Sequence, residues 1–130
     1  MKGHARQIMV PGDAVIPPEA SFVRAAALMR EADVSALAVM DTEGNLFGVV
    51  SEEDVLEGLL AGKGSSARVK MGIDKNFRTV GEFMPAGQVV ELMRDEEIRY
   101  LPVVRQGAVV GLITPGSLMS YLVAHGIGPV

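Results

Sequence analysis

Leu28-Met29-Arg30 recurs as Leu92-Met93-Arg94, 64 residues further along the chain. The same offset carries Val34 onto Ile98, Leu37 onto Leu101 and Val39 onto Val103. The turn Asp41-Thr42-Glu43-Gly44 then shortens to Arg105-Gln106-Gly107, and the offset falls to 63. From there Gly48-Val49-Val50-Ser51 lies over Gly111-Leu112-Ile113-Thr114. A series of matches in one register, broken only at a turn where a change of length costs little, identifies an internal duplication.

Each copy reads as the same run of elements. An extended piece comes first, Ala14-Val15-Ile16 in one copy and Phe77-Arg78-Thr79-Val80 in the other. A helix over about 20–32 follows Pro17-Pro18; Phe22, Ala25/Ala26, Met29 and Ala32 recur at the spacing of one helical face. Its counterpart, over about 86–96, opens after Pro85 and presents Val89, Val90 and Met93. Hairpins come next, 36–40 with 46–50 and 100–104 with 108–113, turned at Gly44 and Gly107. A closing helix starts at Ser51 or Thr114. The fold class is α/β (α+β), two tandem β-α-β-β-α repeats packed with pseudo-two-fold symmetry. Between the copies lies Ala61-Gly62-Lys63-Gly64-Ser65-Ser66-Ala67-Arg68, a basic Gly/Ser-rich linker. A unit of about 60 residues is marginal alone, so the pair forms one domain: repeat one at about 8–61, linker at about 62–75, repeat two at about 76–126.

Composition narrows the function. Apolar residues make up 48% of the 130-residue chain, which excludes disorder. With 12 basic and 16 acidic residues the net charge is −4, unlike a protein that displaces counterions from nucleic acid. No stretch has the length of a membrane span, and Met1 to Gln7 lacks the apolar run of a signal peptide. Without cysteine there is no thiolate nucleophile and no zinc-thiolate site. A cytoplasmic protein with no nucleic-acid or membrane partner is the expectation.

The repeats resemble a CBS-domain pair, the regulatory module named after cystathionine β-synthase. The likeness is carried by Ala36-Leu37-Ala38-Val39-Met40-Asp41 with Gly48-Val49-Val50-Ser51-Glu52-Glu53-Asp54-Val55, and by Tyr100-Leu101-Pro102-Val103-Val104 with Gly111-Leu112-Ile113-Thr114. The family pattern is a Leu-Pro-Val-Val strand, a short turn, Gly-Ile-Val-Ser/Thr, then two residues and an Asp opening a helix. The resemblance implies two clefts between the repeats, which in many members bind AMP, ADP, ATP or S-adenosylmethionine. It places Ser51, Asp54 and Thr114 against ribose and phosphate. Ser117 stands where a second Asp would be, and Ala38 where Pro102 keeps the usual proline. One ribose clamp, at Asp54, is therefore expected, with phosphate sitting more easily near the acid-free turn at Thr114. No cofactor is required.

The residues also support plainer readings. Ser51-Glu52-Glu53-Asp54 is a helix start, with Ser51 as N-cap and Asp54 complementing the dipole; a cap can equally hold a carboxylate ready for vicinal hydroxyls. Thr114-Pro115-Gly116-Ser117 repeats that start with Pro at a favoured position. Gly48 and Gly111 admit a ligand close to the strand, or mark a bulge or tight packing. Arg99 faces a phosphate or is a solvated surface arginine. Lys63, Arg68, Lys70 and Lys75 reach an anion from the linker or are simply exposed. The acidic runs Glu52-Glu53-Asp54 and Asp95-Glu96-Glu97 point in different directions on their helices, as solvated helix ends do. His4 and His125 lie in no motif, and the eight methionines fill gaps. No nucleophile with its base and no phosphate-binding GxxxxGK[ST] loop is present. The leading function is a free-standing, non-enzymatic regulator that senses an adenine nucleotide and acts on a regulated protein. Homodimerisation is expected through helices such as that carrying Leu118-Met119 and Tyr121-Leu122-Val123. The alternative is a dimerisation and interaction module with no nucleotide site.

Overall fold

The computed structural model describes residues 2–12, 14–73 and 77–125; Lys75 lies outside them. In chain order the elements are α1 (Ala5–Ile8), β1 (Val10–Pro11), β2 (Val15–Ile16), α2 (Phe22–Ala32), β3 (Ala36–Met40), β4 (Leu46–Ser51), α3 (Glu52–Leu60), a 3-10 turn (Val69–Met71), β5 (Val80–Gly81), α4 (Ala86–Asp95), β6 (Leu101–Arg105), β7 (Ala108–Ile113) and α5 (Pro115–Ala124). They form two compact units. One is contiguous, Ala14–Phe77; the other is split, made of the chain before Ala14 and the chain from Arg78 onward.

In the contiguous unit β2 runs parallel to β3, and β3 pairs antiparallel with β4, in the order β2-β3-β4. The β3–β4 turn is organised by Asp41. Its carboxylate accepts from the backbone N–H of Glu43 at 2.9 Å and of Asn45 at 2.8 Å, and from the Asn45 amide at 2.9 Å. The Asn45 amide and these backbone bonds hold the Asp41 carboxyl below its ordinary value. Helix α2 starts two residues later than its apolar pattern suggests, at Phe22, because Ser21 is its N-cap, accepting from Arg24 N–H at 3.1 Å. Phe22, Ala25 and Met29 are buried as expected, whereas Ala32 is exposed, since the helix closes at Asp33 in a left-handed conformation (φ 53°). The core gathers Ile16, Phe22, Met29, Leu37, Val39, Val50, Val55 and Val69.

The split unit repeats this plan and adds a strand: β5 is parallel to β6, β6 antiparallel to β7, and β1 antiparallel to the far edge of β7. The hairpin turn is tighter than the sequence suggested. Gln106 (φ 50°) and Gly107 (φ 82°) are both left-handed, the two-residue turn that matches strand twist. Arg105 is therefore a strand residue paired with Ala108, and the strand begins at Leu101 rather than Tyr100. The preceding extended segment also shifts, because only Val80 and Gly81 pair with β6. The core gathers Ala5, Ile8, Val80, Val89, Met93, Leu101, Val103, Ile113 and Tyr121.

The lead segments change places. Residues 8–11, counted with repeat one by register, serve the split unit: Ile8 is buried in its core and Val10 and Pro11 pair with β7. The supposed linker reciprocates, since Val69 is wholly buried in the contiguous unit. The two attachments match bond for bond at the repeat offset. Ala5 N–H donates to the Met84 carbonyl at 2.8 Å and Arg6 N–H to that of Glu82 at 2.9 Å; Val69 N–H donates to the Ala20 carbonyl at 2.8 Å and Lys70 N–H to that of Pro18 at 3.2 Å. Bridges between His4 and Pro85 and between Ser21 and Arg68 complete the correspondence.

Candidate functional site: two capped strand-to-helix turns

Of the residues singled out by sequence, Ser51, Asp54, Thr114 and Ser117 fall at the two places where a strand runs directly into a helix. In the contiguous unit, Ser51 ends β4 and caps α3. Its hydroxyl accepts from Asp54 N–H at 3.2 Å, while its own N–H and hydroxyl donate to Asp54 Oδ2 at 3.0 and 2.9 Å. This is a reciprocal capping box with an acid at the third position. The cap uses Oδ2, so Oδ1 is not committed to it. Asp54 is half-buried and lines a cavity of about 320 Å³ with Phe22, Glu57, Gly58, Lys63 and Gly72. A carboxylate so held can accept from a pair of hydroxyls, and Lys63, an exposed residue lining the same cavity, can balance an anion.

In the split unit Thr114 caps α5 in the same way. Ser117 N–H donates to Thr114 Oγ1 at 3.0 Å, Thr114 N–H donates to Ser117 Oγ at 2.9 Å, and the Ser117 hydroxyl donates to the Thr114 carbonyl at 3.2 Å. The serine hydroxyl does the capping work of the carboxylate but brings no charge. Gly48 and Gly111 sit at matching irregularities, where pairing shifts register after Val39 and after Val103. At Gly111 the reason for glycine is packing: a Cβ there would lie 2.9 Å from the Val10 carbonyl oxygen and collide with Met9. Arg99 is exposed and lines an apolar groove of about 370 Å³ with Val90, Pro115, Leu118 and Leu122, rather than joining the Thr114–Ser117 cap. Gly48, Ser51 and Asp54 thus belong to one unit, and Gly111, Thr114, Ser117 and Arg99 to the other.

Two features escaped the sequence reading. The cavity beside Asp54 owes its floor to Phe22, which lies against Gly58 and Gly72; a Cβ on either glycine would come within 2.8 Å of the ring. The offset of 63 would have pointed there, because it sets Gly58 against Tyr121. The second is a nearly buried Glu82 held by Arg105, whose Nη2 donates to Oε1 at 2.8 Å while Nε donates to Oε2. The Arg105 hydrogen bond, aided by its charge and that of Arg6 and opposed by burial, holds the Glu82 carboxyl below its ordinary value. No repeat match marks this pair, since Pro18 and Asp41 occupy the corresponding positions. Among the described residues no group of three or more His, Cys, Asp or Glu is placed to hold a metal, and no helix is long and apolar enough to cross a membrane.

A duplicated β-α-β-β-α unit whose strands run into Ser/Thr-capped helices defines a class of tandem α/β modules. The chain belongs to the CBS domain family, whose model matches it twice, over residues 5–61 and 69–124. Those limits are again 64 residues apart at their starts, in the register read from Leu28 and Leu92. Hypoxic response protein 1 of Mycobacterium tuberculosis is 27% identical over 135 residues, covering 95% of this chain and 87% of that protein. YlbB of Bacillus subtilis is 31% identical over 96 residues, covering 72% of this chain and 65% of the relative. Among solved structures, Hypoxic Response Protein I with two coordinated zinc ions superposes with a TM-score of 0.74 at 25% identity, over 92% of this chain and 99% of that one. CBSX2 in complex with AMP gives 0.73 at 25% identity, over 95% and 98%. The CBS domain pair of protein MJ0100, in complex with 5′-methylthioadenosine and S-adenosyl-L-methionine, gives 0.81 at 22% identity over 97% and 99%, a likeness of fold.

Proposed function

We propose that this chain is a cytoplasmic, homodimeric regulator that senses an adenine nucleotide and passes its occupancy to a protein partner. The observation that carries the reading is Asp54. It is oriented by Ser51 through one oxygen, keeps the other outside the cap, and shares a cavity with Lys63. That arrangement suits a ribose diol beside a phosphate. The AMP complex of CBSX2, a neighbour of the same family, supports the choice of ligand class. AMP, ADP, ATP and S-adenosylmethionine are the candidates, and regulation follows if the ligand prefers one of two conformations.

The second reading, an interaction module without a nucleotide site, is favoured by one observation: the turn at Thr114 is completed by Ser117 and carries no carboxylate. The split unit also supplies the control that separates the two. Asp54→Ser retains a capping box of the kind already present at Thr114–Ser117 and removes only the charge. Thermal unfolding is measured with each ligand for the native chain and this variant. At a hundredfold its dissociation constant a ligand stabilises the native fold by about 2.7 kcal/mol. The expected result is a shift with an adenine ligand that disappears in Asp54→Ser, whose melting without ligand stays close to native. No shift with any of them leaves the interaction module.

A further inference from the structure

We propose that the cavity beside Asp54 takes an adenosine ligand with a single phosphate and rejects ADP and ATP, and that Glu57 sets this limit. The inference rests on the nucleotide reading above and names the ligand within it. Asp54, Glu57 and Gly58 line the cavity from one face of α3, spaced three and four residues apart, and Lys63 lines it from the segment that follows. The charged residues of the lining are therefore two acids and one base.

The remaining bases of the linker do not alter that balance. Lys70 is paired with Glu19, and Arg68 is not part of the lining. With Asp54 turned to the ribose diol, Lys63 answers one phosphate. Each further phosphate brings negative charge toward Glu57 with no second base to offset it. The size agrees with a small ligand, since about 320 Å³ lies near the lower end of the range for such sites, about 300–1,000 Å³.

Nothing in the folding of α3 calls for an acid at position 57. Glu57 lies in the last turn of the helix, where the dipole disfavours negative charge, and no basic residue accompanies it there. It is exposed and, among the described residues, forms no ion pair. The repeat offset of 63 sets Glu57 against Ser120 and Asp54 against Ser117, so both acids are particular to this unit. Asp54 also serves the cap at Ser51, whereas Glu57 has no such second duty. An acid that opposes its own helix end and lines a ligand cavity acts on the ligand by exclusion. It discriminates against the competitor with more negative charge.

The test is calorimetric titration of the full chain with AMP, ADP and ATP in magnesium-free buffer. AMP is expected to bind about tenfold more tightly than ATP or better, with ADP between them, and the preference narrows as salt is raised. Glu57→Lys is expected to lower the ratio of the ATP to the AMP dissociation constant by about tenfold, and Glu57→Gln by less. Both variants keep the Ser51–Asp54 cap and relieve an unfavourable charge at the helix end. Their melting temperatures without ligand are expected at or above native, so a changed ratio is not a loss of fold. ATP binding the native chain as tightly as AMP, or a ratio that Glu57→Lys leaves unmoved, overturns the charge limit while the nucleotide reading stands. Binding of S-adenosylmethionine alone overturns the single phosphate and keeps the adenine ligand. No binding by any of the four overturns both.

Discussion

The contiguous and split units are built to one plan, yet they fill the space between their helices in opposite ways. In the contiguous unit the large residue is Phe22 on α2 and the small one Gly58 on α3; in the split unit the small residue is Ala86 on α4 and the large one Tyr121 on α5. All four are buried. Tyr121 spends its hydroxyl on the Lys2 carbonyl and stacks on His125, 4.0 Å between ring centres. Phe22 needs no such partner. The same volume is supplied from opposite helices, which teaches that the repeats conserve packed space rather than residue type. The lead segments tell a similar story. Lys70 is paired with Glu19 in one unit, and at the matching positions Arg6 lies 5.1 Å over the ring of Phe83 in the other. A cation anchors each segment, by an ion pair in one case and by an aromatic face in the other.

The comparison breaks most sharply at the Phe22–Gly58 contact. Phe22→Ala is expected to cost about 3–5 kcal/mol, the range for emptying a buried aromatic site. Adding Gly58→Tyr, which copies the arrangement of Ala86 and Tyr121, is expected to recover part of that loss, whereas Gly58→Tyr alone destabilises by overpacking. Urea denaturation of the three variants measures the coupling, and strictly additive effects would refute the exchange of volume. Next in size is the change of partners by the lead segments. Ile8→Ala is expected to cost about 2–4 kcal/mol. Its signature is a loss of amide protection in β6 and β7 of the split unit, read by hydrogen exchange, with α2 and β3 less affected. Protection lost first from α2 would place Ile8 with the wrong unit.

The smallest effect separates the units by pH. The Glu82 carboxyl is held below the ordinary 4.5 by Arg105. Its contribution is therefore present above that value and lost as the pH falls through the lower folded value. Glu82→Gln is expected to leave less acid dependence in this window than the native chain, followed by melting temperature across the acid range. An unchanged acid limb would show that the pair adds nothing to stability.

Much of this was legible in the residues because the signals are local. The capping boxes at Ser51–Asp54 and Thr114–Ser117 are spans of four residues, closed by bonds between near neighbours, so their side-chain types announce them. The hairpins follow from alternation and from glycine at the turns, and their small displacement at Arg105 came from a turn type that depends on the φ of Gln106. The helix of the second repeat was legible to within a residue, ending at Asp95 where the pattern suggested Glu96. Arg99 was legible as exposed but not as a groove residue, because its neighbours Leu118 and Leu122 are distant in the chain.

The sequence by itself determined the duplication, the order of elements in each copy, the two capped turns and the loss of one carboxylate from the second. Those are properties of spacing and of side chains acting on their own backbone. Only the tertiary structure decided that residues 5–11 serve the split unit and Val69 the contiguous one, that Gly111 is required by the strand lying over it, and that Phe22 occupies the room Gly58 leaves. Each of these depends on which distant surfaces meet. Burial rewards any apolar segment that fills the space, and the segment's own sequence does not say whose space that is.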